Sequence, residues 1–249
     1  MPVDAVTVSE ATEGVVASMA DARGGAVITP NLDIVRQYRR SPDLRRVFED
    51  AELVVADGMP VVWALRIQGT PVPERITGTD MLLALTAAAE RQGASVLLCG
   101  GPPGTAARAA DRLARDYPAL RVDAVACHEF PEQPLAAQLD ALAAALVAAA
   151  PQIAYLGVPF TGQVLLMTRL RQRLPGTWFV GVGSSFEFLN GDRRRAPLWL
   201  QRLGLEWAHR LVLQPRFWRR YLVQGLPFAA SLGVRVLAIR ARRAVARGS

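Results

Sequence analysis

The sequence predicts an α/β protein: a Rossmann-like, mostly parallel sheet with helices on both faces, plus a basic helical C-terminal appendage. Three observations predict it. Short apolar runs that end on small or polar residues recur along the first 190 positions, and longer helical patterns lie between them. The arginine content then rises sharply from residue 191 onward. Strands that alternate with helices need right-handed crossovers, which give a parallel sheet covered on both faces. The expected division is therefore an α/β body over residues 1–190 and a helical, Arg/Trp-rich, membrane-associating appendage over residues 191–249.

The runs that read as strands are AVITPN (26–31), LVVADG (53–58), SVLLCGG (95–101), RVDAVAC (121–127), IAYLG (153–157) and WFVGVG (178–183). Among the helical patterns, TDMLLALTAAAERQG (79–93) stops on glycine and GTAARAADRLARDYP (104–118) stops at proline. LAAQLDALAAALVAAAP (135–151) is rich in alanine and interrupted by Gln138 and Asp140. Ligands of such sheets sit beyond the carboxyl ends of the strands. Four of the predicted strands end there with useful chemistry: Thr29 with Asn31, Asp57, Gly100 with Gly101, and Gly157. In VVADGMPVVWALRI (54–67) an apolar run stops on the carboxylate of Asp57 and resumes as an apolar helix. Asp57 either caps that helix or serves as a catalytic carboxylate at the mouth of the sheet.

Composition narrows the class. With 249 residues, 51% of them apolar, the chain can bury a sizeable core. Cys99 and Cys127 have no metal spacing, which fits a reduced, cytosolic setting. His128 and His209 are far apart and no Asp-x-Asp occurs, so no metal site is expected. The opening MPVDAVTVSE lacks the basic start and apolar stretch of a signal peptide. No apolar run of about 18 residues is uninterrupted, so no spanning helix is expected.

Charge is uneven. All 29 basic residues are arginine. Residues 191–249 hold 13 of them against Asp192 and Glu206, a net of +11, while the preceding residues hold 16 against 20 acids, a net of −4. A tail of this kind suits nucleic acid, anionic lipid or a phosphorylated substrate. Within RRRAPLWLQRLGLEWAHRLVLQPRFWRRYL (193–222), arginine and tryptophan interleave over short helices broken at Pro197 and Pro215. That pattern reads either as a solvated basic face anchored by Trp199, Trp207 and Trp218, or as an arginine clamp for phosphates beside a membrane interface. The i,i+4 pair of Glu206 and Arg210 can be purely structural. LLCGGPPGTAARAA has the strand, Gly-rich turn and helix start that favour a pyrophosphate. GVGSSFEFLNG lacks the third glycine of a dinucleotide fingerprint.

Five segments, in order over roughly residues 3–225, resemble the WecG/TagA/CpsF glycosyltransferases: TPNLDIV, ADGMPVVWALRIQG, ERITGTD, GVGSSFEFLNGDRRRAPLWLQRLGLEWAHRL and QPRFWRRYL. The resemblance implies transfer of a sugar, typically N-acetylmannosamine, from a UDP-sugar donor to a lipid-diphosphate-linked saccharide acceptor carried on polyprenol. It implies this at the cytoplasmic membrane face, during teichoic-acid, enterobacterial-antigen or exopolysaccharide assembly. It also implies inversion at the anomeric carbon, no cofactor and no essential metal. Asp57 matches the proposed general base, and Thr29 and Asn31 match residues that orient substrate. Arg75, Gly78 and Asp80 match a segment that shapes the donor pocket. The turn glycines Gly100, Gly101, Gly157 and Gly183, with Glu187 and Glu206, complete the expected substrate-binding set. Arg210, Arg219 and Arg220 are the expected contacts to UDP or the acceptor diphosphate.

The chain departs from the family pattern at GVPFTGQ (157–163), where Lys-Gln-Glu is replaced by Phe160, Thr161 and Gly162, and Gln163 stands two places late. Glu187 stands where the family commonly has Asp. The donor sugar therefore stays open between N-acetylmannosamine, glucose and another hexose. So do the acceptor and the oligomeric state, a homo-oligomer among the options. Two rival classes are weaker. A nucleic-acid-binding protein explains the basic tail but not Asp57 or the tail's tryptophans. A nucleotide-dependent oxidoreductase explains the sheet but lacks the fingerprint. The expected location is the inner face of the plasma membrane, with the helix of residues 222–247 lying on an anionic lipid surface, not inserted.

Overall fold

A computed structural model describes residues 1–125, 135–202, 205–213 and 218–248. Its centre is one six-stranded parallel sheet in the order β2-β1-β6-β5-β3-β4. The strands are β1 (Gly25–Ile28), β2 (Leu53–Val54), β3 (Ser95–Gly100), β4 (Arg121–Val125), β5 (Ile153–Gly157) and β6 (Trp178–Gly181). All six arise from the apolar runs read in the sequence. The helices of the body are α1 (Val8–Ala20), α2 (Leu32–Arg40), α3 (Pro42–Glu49), α4 (Met59–Ile67), α5 (Gly78–Gln92), α6 (Thr105–Asp116), α7 (Leu135–Ala149), α8 (Phe160–Leu170) and α9 (Ser185–Leu189).

Alternation along the strands builds two cores, one on each face of the sheet. Val27, Val96, Leu98, Tyr155 and Val180 point to the face covered by α1, α5 and α6. Their neighbours Ala26, Ile28, Leu97, Cys99, Leu156 and Phe179 point to the face covered by α2, α3, α7 and α8. The edge strand β2 is held from outside: Asp4 N–H donates to the Val54 carbonyl and Val54 N–H donates to the Asp4 carboxylate, both at 2.8 Å. Pairing of this kind occupies the edge hydrogen bonds that would otherwise be exposed.

Helix ends follow local chemistry. Asn31 caps α2 by accepting from the Asp33 and Ile34 N–H groups. Thr77 and Asp80 form a reciprocal capping box on α5, which ends at Gly93 in the left-handed conformation. Beyond the body lie α10 (Leu198–Arg202), α11 (Glu206–Leu213), a π-helical turn (Arg219–Gly225) and α12 (Leu226–Gly248). The long final helix is the one expected from the sequence, but it begins four residues later, after the π-helical turn. It packs on α4. Phe228 joins a cluster with Val35, Val61 and Val62, and the Arg39 guanidinium sits 5.6 Å from the centre of its ring.

One helix bears on the expectation that none spans a membrane. The segment Leu222–Arg240 has a mean hydropathy of 1.6 over 19 residues, so its length and composition suffice to cross a membrane despite Arg235.

Tyr155 is fully buried, and its hydroxyl meets Thr86 Oγ1 at 3.0 Å and the Leu82 carbonyl at 3.2 Å. Burial pushes its pKa well up, so it stays a neutral donor. Tyr155→Phe removes the partner of Thr86 Oγ1 and the donor to the Leu82 carbonyl, and is expected to cost about 1–2 kcal/mol. A urea midpoint unchanged from the parent would show that this buried pair adds no stability.

Candidate functional site

A cleft of about 950 Å³ opens at the carboxyl ends of β1, β2, β5 and β6. The loops after these strands bring Thr29, Asp57, Gly157 and Gly183 to its walls. The start of α5 and the loop after α9 add Arg75, Gly78, Arg193 and Arg195, and α11 and α12 close the remaining side. Of the residues expected from the sequence, Asn31, Gln163, Glu187 and Glu206 line the same cleft.

Asp57 is half-buried where β2 hands over to α4, and its N–H donates to the Pro30 carbonyl at 3.1 Å. It is not the cap of α4. That position belongs to Gly58 at φ +90°, which has no side chain with which to cap the helix. Glycine is needed there because L-residues rarely adopt that backbone conformation. The turn at Gly58 leaves Asp57 at the strand end on the cleft wall. Thr29 Oγ1 donates to the Gly181 carbonyl at 3.3 Å, which ties the ends of β1 and β6 together. Asn31 has its carboxamide oxygen engaged in capping α2, so the opposite amide end is the one available to a ligand.

Several expected binding residues act by holding others. Gly78 packs on β6 so closely that an added Cβ would lie 2.8 Å from the Gly181 carbonyl oxygen. Asp80 accepts from Thr77 and from Arg195 Nη1 at 3.1 Å, so it braces an arginine of the cleft wall without lining the cleft itself. Gln163 is buried and donates to the Val158 carbonyl at 2.9 Å, fixing the loop after β5. Glu187 pairs with Arg193 at 2.8 Å. Glu206 of α11 pairs with Arg75 at 2.5 Å, their side chains only 22% and 14% exposed, which ties the C-terminal helices to the body.

The structure does not bring Gly100 and Gly101 to the cleft. Gly101 N–H donates to the Gly157 carbonyl, and a Cβ on Gly100 would lie 2.6 Å from Val158. The ring of Phe186 fills the remaining space, 2.4 Å from a Cβ placed on Gly157. These glycines serve close packing between β3 and β5. Arg219 is exposed beside Trp218, its guanidinium 5.9 Å from the ring centre, and does not line the cleft. The side chains of Arg210 and Arg220, together with residues 126–134 that include Cys127 and His128, lie outside the described residues.

Sequence reasoning missed Arg36, Arg193, Arg195, Trp63 and Phe228 as cleft residues. The run RRR at 193–195 gave a signal, but nothing in it told which arginines face inward. Trp63 was concealed because the apolar pattern around it reads as a buried helix, and Phe228 because the final helix reads as a lipid-facing stripe, whereas it packs with Val35, Val61 and Val62 and lines the cleft.

Comparison with known proteins supplies the family. A family model described as "Glycosyl transferase WecG/TagA/CpsF family" matches residues 1–243. Two curated relatives bear the name N-acetylglucosaminyldiphosphoundecaprenol N-acetyl-beta-D-mannosaminyltransferase. The Bacillus spizizenii protein is 26% identical over 80% of this chain and 76% of its own length. The Bacillus subtilis protein is 26% identical over 81% of this chain and 77% of its own. With the family model spanning nearly the whole chain and a cleft lined by the motif residues, the chain belongs to the WecG/TagA/CpsF family of glycosyl transferases.

Proposed function

We propose that the protein is an inverting, metal-independent glycosyltransferase. It moves a hexose or N-acetylhexosamine from a UDP-sugar to a polyprenyl-diphosphate-linked saccharide, in the assembly of a cell-surface polysaccharide. The observation that carries this reading is the half-buried carboxylate of Asp57 on the wall of a large strand-end cleft, in a chain of a glycosyl transferase family. The two relatives, whose names specify a diphosphoundecaprenol-linked acceptor, support the acceptor class.

In this mechanism an acceptor hydroxyl attacks the anomeric carbon from the face opposite the UDP. The new carbon–oxygen bond forms as the bond to the diphosphate breaks. Asp57 takes the hydroxyl proton, and the bonding electron pair leaves with UDP. Thr29 and Asn31 orient the reacting groups from the ends of β1 and the start of α2. Arg75, Arg193 and Arg195 are the cleft cations that meet the charge gathering on the leaving diphosphate. Each is already held by a carboxylate, and a guanidinium has five N–H donors, so an arginine paired on one edge still has donors to offer a phosphate. Arg210 and Arg220 belong to the same reading as contacts reached from the C-terminal helices, whereas Arg219, exposed beside Trp218 and off the cleft wall, drops out of it. Residues 1–190 act as the catalytic body and residues 191–249 as the appendage that meets anionic lipid on the inner membrane face.

A panel of UDP-sugars with a lipid-diphosphate acceptor analogue tests the reaction directly. No transfer from any of them would end the proposal. Asp57→Asn keeps size and hydrogen bonding but removes the basic oxygen. Its turnover is expected to fall by about two to four powers of ten, with donor affinity little changed. Turnover near the parent's would remove Asp57 from the chemistry.

Arginine in place of a metal makes a second prediction. Among the described residues no group of three His, Cys, Asp or Glu is set to hold an ion. EDTA is expected to leave the rate nearly intact. Loss of activity in chelator, restored by Mn²⁺, would show that a metal stabilises the diphosphate.

The C-terminal helix generates the last prediction of this reading. On α12, Val234 and Leu237 are 69% and 58% exposed, and Val223 just before it is 57% exposed. Together with the arginines they suit a headgroup boundary, where each basic residue contributes roughly 1 kcal/mol of attraction to anionic lipid. Truncation before Leu222 is expected to release the protein from anionic liposomes in a flotation assay. Undiminished flotation would place the membrane contact elsewhere.

A further inference from the structure

The cleft has an apolar side that the transfer reaction does not use. Along α4, Met59, Pro60, Trp63, Ala64 and Ile67 line it, and their spacing places them on one helical face. The intervening Val61 and Val62 turn away into the core, so the helix divides its apolar residues between two tasks. Opposite stands α12, whose Leu226, Phe228, Ala229, Leu232 and Gly233 also line the cleft. Trp63 is 45% exposed there, which is unusual for so large an apolar side chain beside a helix that does not cover it.

Two features set what such a seam accepts. It begins at Asp57, because α4 starts two residues later, and from Met59 to Ile67 it runs roughly 12 Å at the helical rise of 1.5 Å per residue. An apolar ligand lying in it therefore reaches the candidate base at one end. On α12 the seam includes Leu226, itself 48% exposed, which follows directly on the π-helical turn that carries the exposed Leu222 and Val223. One continuous cleft thus offers arginines and a carboxylate at the strand ends and a long apolar wall along α4. That is the shape of an anionic head followed by a hydrocarbon chain.

We infer that the α4–α12 seam is a binding subsite for the first isoprene units of the lipid carrier, entered sideways from the apolar surface beside it. The inference rests on the proposed acceptor class and locates the part of the acceptor that does not react. Trp63 and Phe228 give the chain its apolar contact, and Ala229 and Gly233 keep the facing side of α12 open. A Cβ added at Gly233 meets nothing within 4 Å, so the space in front of it is vacant of protein.

Gly233→Leu tests this, because the new side chain enters the seam without striking protein and replaces glycine in a helix interior. The assay compares two acceptors with the same diphosphate and saccharide, one on a long polyprenyl chain and one on a single isoprene unit. In the parent, the long chain is expected to give the higher kcat/KM. In Gly233→Leu, and separately in Trp63→Ala, the long-to-short ratio is expected to fall by about tenfold or more, the effect of losing burial of a few methylene groups. An unchanged ratio in both variants would overturn the subsite. If the parent used neither acceptor, the reaction itself would have been misassigned, and the subsite would fall with it.

A second measurement needs no turnover. A diazirine-bearing prenyl diphosphate, irradiated with the full-length protein, is expected to label peptides containing residues 59–67 and 226–233. Labelling confined to the outward residues Val234, Leu237 and Ile239 would mean that the chain lies on the surface of α12 and not in the seam.

Discussion

A parallel sheet sends the carboxyl end of every strand to the same rim, and every loop that carries chemistry here depends on that constraint. Thr29, Asp57, Gly157 and Gly183 are up to 154 positions apart in the chain. They meet because β1, β2, β5 and β6 run in one direction and the crossovers return on either face. The rim is then narrowed by contacts between backbones. Gly78 lets α5 approach β6, and Gly157 lets the ring of Phe186 settle over the end of β5. A methyl group at either place would push these elements apart and widen the floor of the cleft. The site is thus a consequence of sheet direction first and of close glycine packing second.

Electrostatics within the cleft follow from the same positioning. Arg36, Arg75, Arg193 and Arg195 line it, and each is paired: with Asp33 at 2.6 Å, Glu206 at 2.5 Å, Glu187 at 2.8 Å and Asp80 at 3.1 Å. Unpaired arginines crowded on one wall would repel one another and sample many rotamers. Pairing fixes each guanidinium plane before a ligand arrives, and this preorganisation lowers the ordering cost of binding. Two of the pairs bridge distant parts of the chain. Arg195 reaches the cap of α5, and Glu206 brings α11 against the loop that carries Arg75. The wall of the cleft and the attachment of the C-terminal helices are therefore held by the same interactions.

Much of this was legible in the sequence, and the limits are physical. All six strands could be read because a buried parallel strand is a short apolar run that ends abruptly, and Asp57 stood out as a charge at such an end. Side-chain direction in turns was not legible. Gly100 and Gly101 form the Gly-rich turn that a phosphate site would have, yet their hydrogen bond and packing partners are Gly157, Val158 and Phe186. Glycine for close approach and glycine for ligand access leave the same letters in a sequence. Asp80 could be matched to a motif, but only the structure distinguishes a residue that touches ligand from one that braces Arg195. Gln163 was equally opaque, since its amide turns out to hold the loop after β5 by bonding to carbonyls of residues nearby in sequence.

The final helix shows why composition alone misjudges a segment with two apolar sides. Counting its residues makes it long enough and apolar enough to cross a bilayer. Yet Val236 is fully buried, and Phe228 packs with Val35, Val61 and Val62. A helix that left to span a membrane would uncover that cluster and remove one wall of the cleft. The opposite side, with Val234, Leu237 and Ile239, is exposed and would gain most from a nonpolar phase. Both demands are met when the helix stays on α4 and lays its outer side along the boundary. On the proposed reading, contact with lipid would hold the cleft closed on one side and leave its seam beside the apolar phase, so attachment and access to a lipid-borne acceptor would be the same geometric event.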